Sequence, residues 1–142
     1  MNRITLDAAR VIIHDTMAYG RDKGMKPLSV VVVDAGGHVL AFEREDGAPP
    51  GRFDIARGKA YGAVMLGIGG TAQRERAEAQ SYFITAVGAA YDGKMIPVPG
   101  GILVRNGSGE VIGAVGVTGD TSENDLDAGS AGINSVGLTA EG

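Results

Sequence analysis

The feature that most limits the fold is a run of four consecutive valines. Residues 28–34 read Leu-Ser-Val-Val-Val-Val-Asp. Residues 110–118 contain a second stretch that is apolar on both faces, and alternation places Ile112 and Ala114 on the same face. Successive side chains of a strand point to opposite faces, so such runs need apolar cover on both sides. The sequence therefore predicts central strands of a sheet that lies between layers of helices.

The remaining segments supply these layers. Residues 5–20 have helical apolar spacing with Thr5 as N-cap, residues 52–66 form a second helix, and Thr71 begins a third. Residues 38–45 pair with the valine strand, residues 101–105 pair with 110–118, and a Ser122-x-x-Asp125 capping box opens a last helix that ends near Val136. We expect one α/β (α+β) domain over residues 1–142, with a single antiparallel sheet of about five strands built from two hairpins and helices on both faces.

Composition excludes several classes of function. The chain has no cysteine, which removes disulfides, thiolate metal sites and cysteine nucleophiles. A net charge of −4 argues against a nucleic-acid partner. No apolar run is long enough to cross a membrane and no signal peptide is recognisable, so we expect a cytoplasmic protein.

Glycine is the most unusual part of the composition. There are 24 glycines, no tryptophan and only seven Phe and Tyr residues, so the core is built from small side chains and is thin. Association of identical chains buries additional surface, and we therefore expect a homo-oligomer.

Asp34-Ala35-Gly36-Gly37-His38 has the length and composition of a hairpin turn, because glycine tolerates the backbone angles that tight turns need. Asp34 ends an apolar strand, so its carboxylate is expected either to bond the turn amides or to face a pocket. The two histidines leave similar alternatives. His14 is either a solvated helix residue or a ligand or acid–base group, and His38 follows the turn and is expected to be half exposed.

The helix over residues 52–66 carries the most interesting cation. Arg57 follows Phe53 by one turn on the apolar side, so we expect it to meet a buried carboxylate, such as Asp34 or Asp120, or an anionic ligand. Gly100 and Gly101 begin a strand, and are either an ordinary irregular start or a place where a flat ligand contacts the backbone.

Several of these pieces, in this order, resemble the GlcG/HbpS family, which also includes the C-terminal domain of PduO-type proteins. They are VVDAGGH, DGAP, ARGKA, the PVPGGI segment and GAVGVTGDTSEND, and the resemblance covers about residues 5–136. It implies a sheet flanked by helices, a homo-oligomer, and in some members haem binding.

The resemblance also implies site residues. In PduO-type domains a histidine of the first helix is an axial haem ligand, and His14 is the residue that fills this place here. The second ligand of those domains is a cysteine, which this chain lacks. By motif, the resemblance places Asp34, Arg57, Lys59, Gly100 and Gly101 at the pocket.

Three functions are compatible with the sequence. The first is an oligomer that binds haem or a comparable small ligand between sheet and helices; for haem, His14 would approach the iron and Arg57 or Lys59 would pair with the propionates. The second is a small catabolic enzyme, an isomerase, tautomerase or hydrolase of an organic acid, with Asp34 as a general base whose pKa burial raises. The third is an accessory oligomer without a ligand.

Overall fold

The computed structural model describes residues 1–142, which form five helices and five strands. In chain order these are α1 (Leu6–Asp22), β1 (Ser29–Asp34), β2 (Val39–Arg44), α2 (Arg52–Leu66), α3 (Gly70–Ala79), α4 (Ser81–Ala90), β3 (Gly101–Arg105), β4 (Val111–Thr118), α5 (Ser122–Ser135) and β5 (Thr139–Glu141). None of the helices combines the length and the apolar character that crossing a bilayer requires.

All five strands belong to one antiparallel sheet in the order β2-β1-β4-β3-β5. The two expected hairpins, β1–β2 and β3–β4, are both present, and they join through β1 and β4 at the centre. This arrangement confirms the predicted sheet. The short β5 strand completes it at the edge beside β3, which the sequence pattern did not indicate.

The valine run explains the layers. Val30 and Val32 pack with the helices α1 and α5 on one face, whereas Val31 and Val33 face α2 on the other. The α2 side of the core consists mainly of alanines, so this helix lies very close to the sheet. A Cβ built on Gly116 of β4 would stand 1.9 Å from the carbonyl oxygen of Ala56, and only glycine fits there.

Two β-bulges alter the expected faces of the sheet. Leu40 is an extra residue in β2 opposite Val32 and Val33, and Ile112 is an extra residue in β4 opposite β3. The strict alternation of residues 110–118 placed Ile112 on the same side as Ala114, which is wrong. The bulge turns Ile112 to the α1 face, while Ala114 faces α2.

The helix expected from Thr71 is interrupted. Gln80 has φ −141° and ψ 64°, outside the helical region, so the polar α3 and the apolar α4 are separate helices. The N-cap of α5 also differs from the expected box. Thr121, one residue before Ser122, caps the helix by accepting a hydrogen bond from the Asn124 amide, and Asp125 is free for another role.

Candidate ligand-binding site

The β1–β2 turn is organised around the carboxylate of Asp34. Its Oδ1 atom accepts hydrogen bonds from the amides of Gly36 (2.9 Å) and His38 (3.0 Å), and the His38 ring Nδ1 lies 3.1 Å from the same oxygen. Gly37 has φ +83°, as a tight turn requires. The DAGGH segment is therefore a hairpin turn, as predicted, and it also builds an Asp–His pair.

Gly36 leaves room for this pair. A Cβ at position 36 would lie 2.8 Å from Cε1 of the His38 ring and 3.0 Å from its Nδ1. The ring is nonetheless 81% exposed rather than half exposed, because it lies over the turn on the solvent side.

The pKa of Asp34 does not support its expected role as a base. Burial acts to raise the pKa of Asp34, but the hydrogen bonds from the amides of His38 and Gly36 and the nearby His38 ring lower it further, and the net pKa is below its ordinary value. The expectation of a raised pKa at Asp34 was wrong. A carboxylate that already accepts three N–H groups holds the turn and has little tendency to take a proton.

Asp34 also faces a cleft, so both alternatives raised by the sequence are realised together. The cleft has a volume of about 610 Å³ and lies between the chain before α1 and the β1–β2 turn. Its residues are Asn2, Arg3, Ile4, Thr5, Leu6, Asp34, Ala35, Gly36, His38, Leu40 and Ile112. Of the residues predicted at the site, only Asp34 lines it.

His14 lies elsewhere, on the outer surface of α1. Its side chain is 76% exposed, and its Nδ1 is 3.0 Å from Oδ1 of Asp15. The neighbouring Ile13 is fully buried, so the helix places its apolar side inward and His14 outward. The expected pocket between sheet and helices therefore does not contain His14.

Arg57 is paired with neither Asp34 nor Asp120, so these two expected partners are wrong, and the alternative of an anionic ligand for Arg57 stays a prediction. Asp34 lies with Ile4 and Ile112 on the α1 side of the sheet, while α2 covers the opposite face. Asp120 instead accepts hydrogen bonds from the Lys26 and Thr121 amides and from the Asn124 side chain. Arg57 borders a separate cleft of about 270 Å³, formed by Asp54, Ile55, Arg57, Gly58, Gly93, Lys94 and Ile96.

The buried cation of α2 is Lys59, two residues further along. Its Nζ donates to the Val117 carbonyl oxygen (2.9 Å) and to Oδ2 of Asp125 (3.2 Å), and the two side chains are only 4% and 1% exposed. Burial lowers the pKa of Lys59 and raises the pKa of Asp125, and the attraction between the two charges opposes both effects. Lys59 is thus committed to an internal ion pair that joins α2 to α5, rather than facing a ligand.

Gly100 and Gly101 belong to the same cluster. A Cβ on Gly101 would stand 2.3 Å from the Lys59 carbonyl oxygen, and a Cβ on Gly100 would stand 2.9 Å from Lys59 Nζ. These glycines admit the backbone and side chain of Lys59, and no cleft lies against them. The signal for this pair was present in the sequence, because Lys59 falls within the buried helical stripe of Ala56, Ala60 and Ala63.

The residues expected at one site thus occupy four places: Asp34 at the 610 Å³ cleft, His14 on the outer face of α1, Arg57 at the 270 Å³ cleft, and Lys59 with its glycines inside the fold. No group of three or more His, Asp or Glu side chains is arranged to hold a metal ion. The cleft offers hydrogen bonding and apolar contact, and His14 offers one imidazole nitrogen.

Comparison with known proteins gives a family and a fold. Residues 4–134 match the family described as haem degrading protein HbpS-like. A crystal structure of a PduOC–heme complex is 19% identical, with a TM-score of 0.86 over 99% of both chains. An HbpS double mutant from Streptomyces reticuli is 25% identical, with a TM-score of 0.80 over 96% of this chain and 88% of that chain. Protein ORFY of Klebsiella pneumoniae is 28% identical, with a TM-score of 0.80 over 94% of this chain and 90% of that chain. None of the curated proteins matches the sequence.

Proposed function

The chain belongs to the HbpS-like family of haem-degrading proteins, which it matches over residues 4–134, and from this premise we propose that it binds haem through His14. The PduOC relative of the same fold is described as a heme complex. The observation that carries the proposal is the exposed, oriented imidazole of His14 on α1.

The contact with Asp15 gives His14 the chemistry of a metal ligand. A histidine that donates its Nδ1 proton to a carboxylate presents the lone pair of Nε2, and this pairing is usual for ligating histidines. The hydrogen bond from His14 lowers the pKa of Asp15, with a smaller contribution from Ser135, so the carboxylate stays ionised beside the ring. Nε2 has no partner within the chain.

The surroundings of His14 fit haem that is held by one protein ligand at the surface. Val11 is 44% exposed and precedes His14 by three residues, so it offers apolar area on the same helix face. Arg10, four residues before His14, is exposed and forms no ion pair within the chain, which makes it the partner for a propionate in place of Arg57 or Lys59. When bound, haem supplies the redox-active iron, and the side chains of this surface bind and orient it.

Titration with haemin tests the proposal, and the chain offers a matched control because it has only two histidines. We expect a shifted Soret band with wild type and with His38→Ala, and loss of that shift with His14→Ala. An unshifted band for wild type contradicts haem binding. The same band in His14→Ala as in wild type contradicts the role of His14.

The expected homo-oligomer has a candidate contact surface on α4. This helix contains no charged residue and packs mainly against α3, and Ile84 is its one buried residue. Tyr82 is 72% exposed. Because a two-fold contact sets a surface against its own copy, a helix without charges meets itself without like-charge repulsion.

The mass of the particle in solution tests this surface. We expect the wild-type protein to be an oligomer by light scattering after size exclusion, and Tyr82→Glu to shift it toward the monomer. Val39→Glu adds the same charge at an exposed apolar residue of β2 and is expected to leave the mass unchanged. A monomeric wild type, or an intact oligomer in Tyr82→Glu, contradicts the role of α4.

A further inference from the structure

We propose that the 610 Å³ cleft beside the β1–β2 turn binds a small organic acid with one carboxylate and an apolar body. This site is separate from the His14 surface, because His14 does not line the cleft. Its volume falls within the range of small-molecule pockets, which is about 300–1,000 Å³.

The apolar wall of the cleft is produced by the two β-bulges. Leu40 is the extra residue of β2 and Ile112 is the extra residue of β4, and both line the cleft together with Ile4. Regular alternation at Ile112 would have turned its side chain to the α2 face. Bulges that re-aim side chains in this way are common next to binding sites.

Two polar groups at the cleft have no partner within the chain. Arg3 is exposed and forms neither a hydrogen bond nor an ion pair. The Nδ1 atom of His38 is engaged by Asp34, which leaves Nε2 on the opposite edge of the ring available. The remaining charged group, Asp34, accepts hydrogen bonds from two backbone amides and from the His38 ring, so its negative charge is already compensated.

The polar groups of the cleft favour an anionic ligand. Arg3 is the only uncompensated charge, and a guanidinium binds a carboxylate through paired N–H donors. When the His38 ring carries a proton on both nitrogens, it donates one to Asp34 and one to a bound carboxylate. A ligand whose apolar part covers Ile4, Leu40 and Ile112 then satisfies both ends of the cleft.

Gly36 is a positioning residue for this site. An alanine there would push the His38 ring, whose Cε1 would otherwise lie 2.8 Å from the new methyl group. Because the ring is exposed and can swing into solvent, Gly36→Ala disturbs the donor without disturbing the core.

Benzoate is a suitable probe, with benzamide as its neutral counterpart of the same shape. Binding is measured on haem-free protein by the movement of backbone amide signals in two-dimensional NMR spectra. We expect the signals of residues 3–6 and 35–38 to move with benzoate, and benzamide to bind at least ten-fold more weakly.

Variants then assign the contacts. Arg3→Gln is expected to weaken benzoate binding about ten-fold, while Arg44→Gln, at an exposed arginine of β2 outside the cleft, leaves it unchanged. His38→Ala and Gly36→Ala weaken binding. Equal binding of benzoate and benzamide, equal loss in Arg3→Gln and Arg44→Gln, or no movement of the cleft signals overturns the proposal. None of these outcomes affects the haemin titration, which depends on His14.

Discussion

Removal of the Asp125 carboxylate should be among the most damaging single changes in this protein. In Asp125→Ala the Lys59 ammonium would keep only the Val117 carbonyl as a partner, and the Asp120 amide would lose its acceptor. Breaking one side of a buried ion pair typically costs about 3–5 kcal/mol. The loss cannot greatly exceed about 5 kcal/mol, because Lys59 can instead release its proton, which costs about that much at pH 7 for a lysine of ordinary pKa.

The free energy of unfolding can be measured with urea, followed by far-UV circular dichroism because the chain has no tryptophan. We expect Asp125→Ala to lose about 3–5 kcal/mol, and the double variant Lys59→Met, Asp125→Leu to lose much less than the sum of its single changes. Glu123→Ala is the control, because it removes a surface pair with Arg74 and is expected to cause no measurable change.

The same variant has a characteristic pH dependence. Burial lowers the pKa of Lys59 in the folded state, and removal of Asp125 removes the attraction that opposes this shift. The unfolded chain then binds a proton that the folded chain holds weakly, so the stability of Asp125→Ala rises as the pH increases from neutral toward the ordinary pKa of lysine. A loss below about 1 kcal/mol, additive single changes, or falling stability over this pH range refutes the reasoning.

Three further changes test particular features of the fold. Hydrogen bonds from the Lys26 amide, the Asn124 side chain and the Thr121 amide lower the pKa of Asp120 to about 2. The ionised carboxylate therefore stabilises the fold above its ordinary pKa, and about 1 kcal/mol, after solvent screening, is lost as the pH falls toward 2. In Asp120→Asn the free energy of unfolding, measured with urea, should fall less steeply over this acidic range. Gly116→Ala should destabilise by about 3 kcal/mol or prevent folding, whereas Gly107→Ala, whose Cβ meets nothing within 4 Å, should melt like wild type. Thr121→Ala should cost about 1 kcal/mol and Ser122→Ala almost nothing, since Thr121 is the N-cap of α5; equal losses would contradict the cap assignment.

Most of the architecture was predictable because the spacing of apolar residues and the positions of the turn residues indicate the same helices and strands. The valine run and the glycine-rich turns define the two hairpins, and α2 spans the predicted residues. The failures have local causes. The backbone angles of Gln80 separate α3 from α4, although glutamine is not a residue that indicates a turn. The strand β5 is only three residues long, which is too short for an alternating pattern to reveal. The bulges at Leu40 and Ile112 depend on the pairing of whole strands, which alternation within one strand cannot reveal.

The site was predictable in its parts but not in its grouping. Asp34 was identified because a carboxylate that ends an apolar strand needs partners, and it has them. Arg57 and Lys59 are two residues apart. The wheel drawn through Phe53 and Ala60 placed Arg57 on the apolar side, whereas the buried stripe of Ala56, Ala60 and Ala63 contains Lys59. Nothing in the sequence indicated that Arg3 belongs to a site, because it lies before the first helix. Its proposed role in binding a carboxylate depends on the cleft that β1, β2 and β4 form with the chain before α1.

The most direct test of the proposed function is a crystal structure of the protein grown with haemin. Our account predicts a macrocycle on the outer face of α1, with the iron bound to Nε2 of His14 and the Asp34–His38 cleft free of it. A macrocycle in that cleft with the iron at His38, or crystals without bound haem from protein saturated with it, would contradict the account.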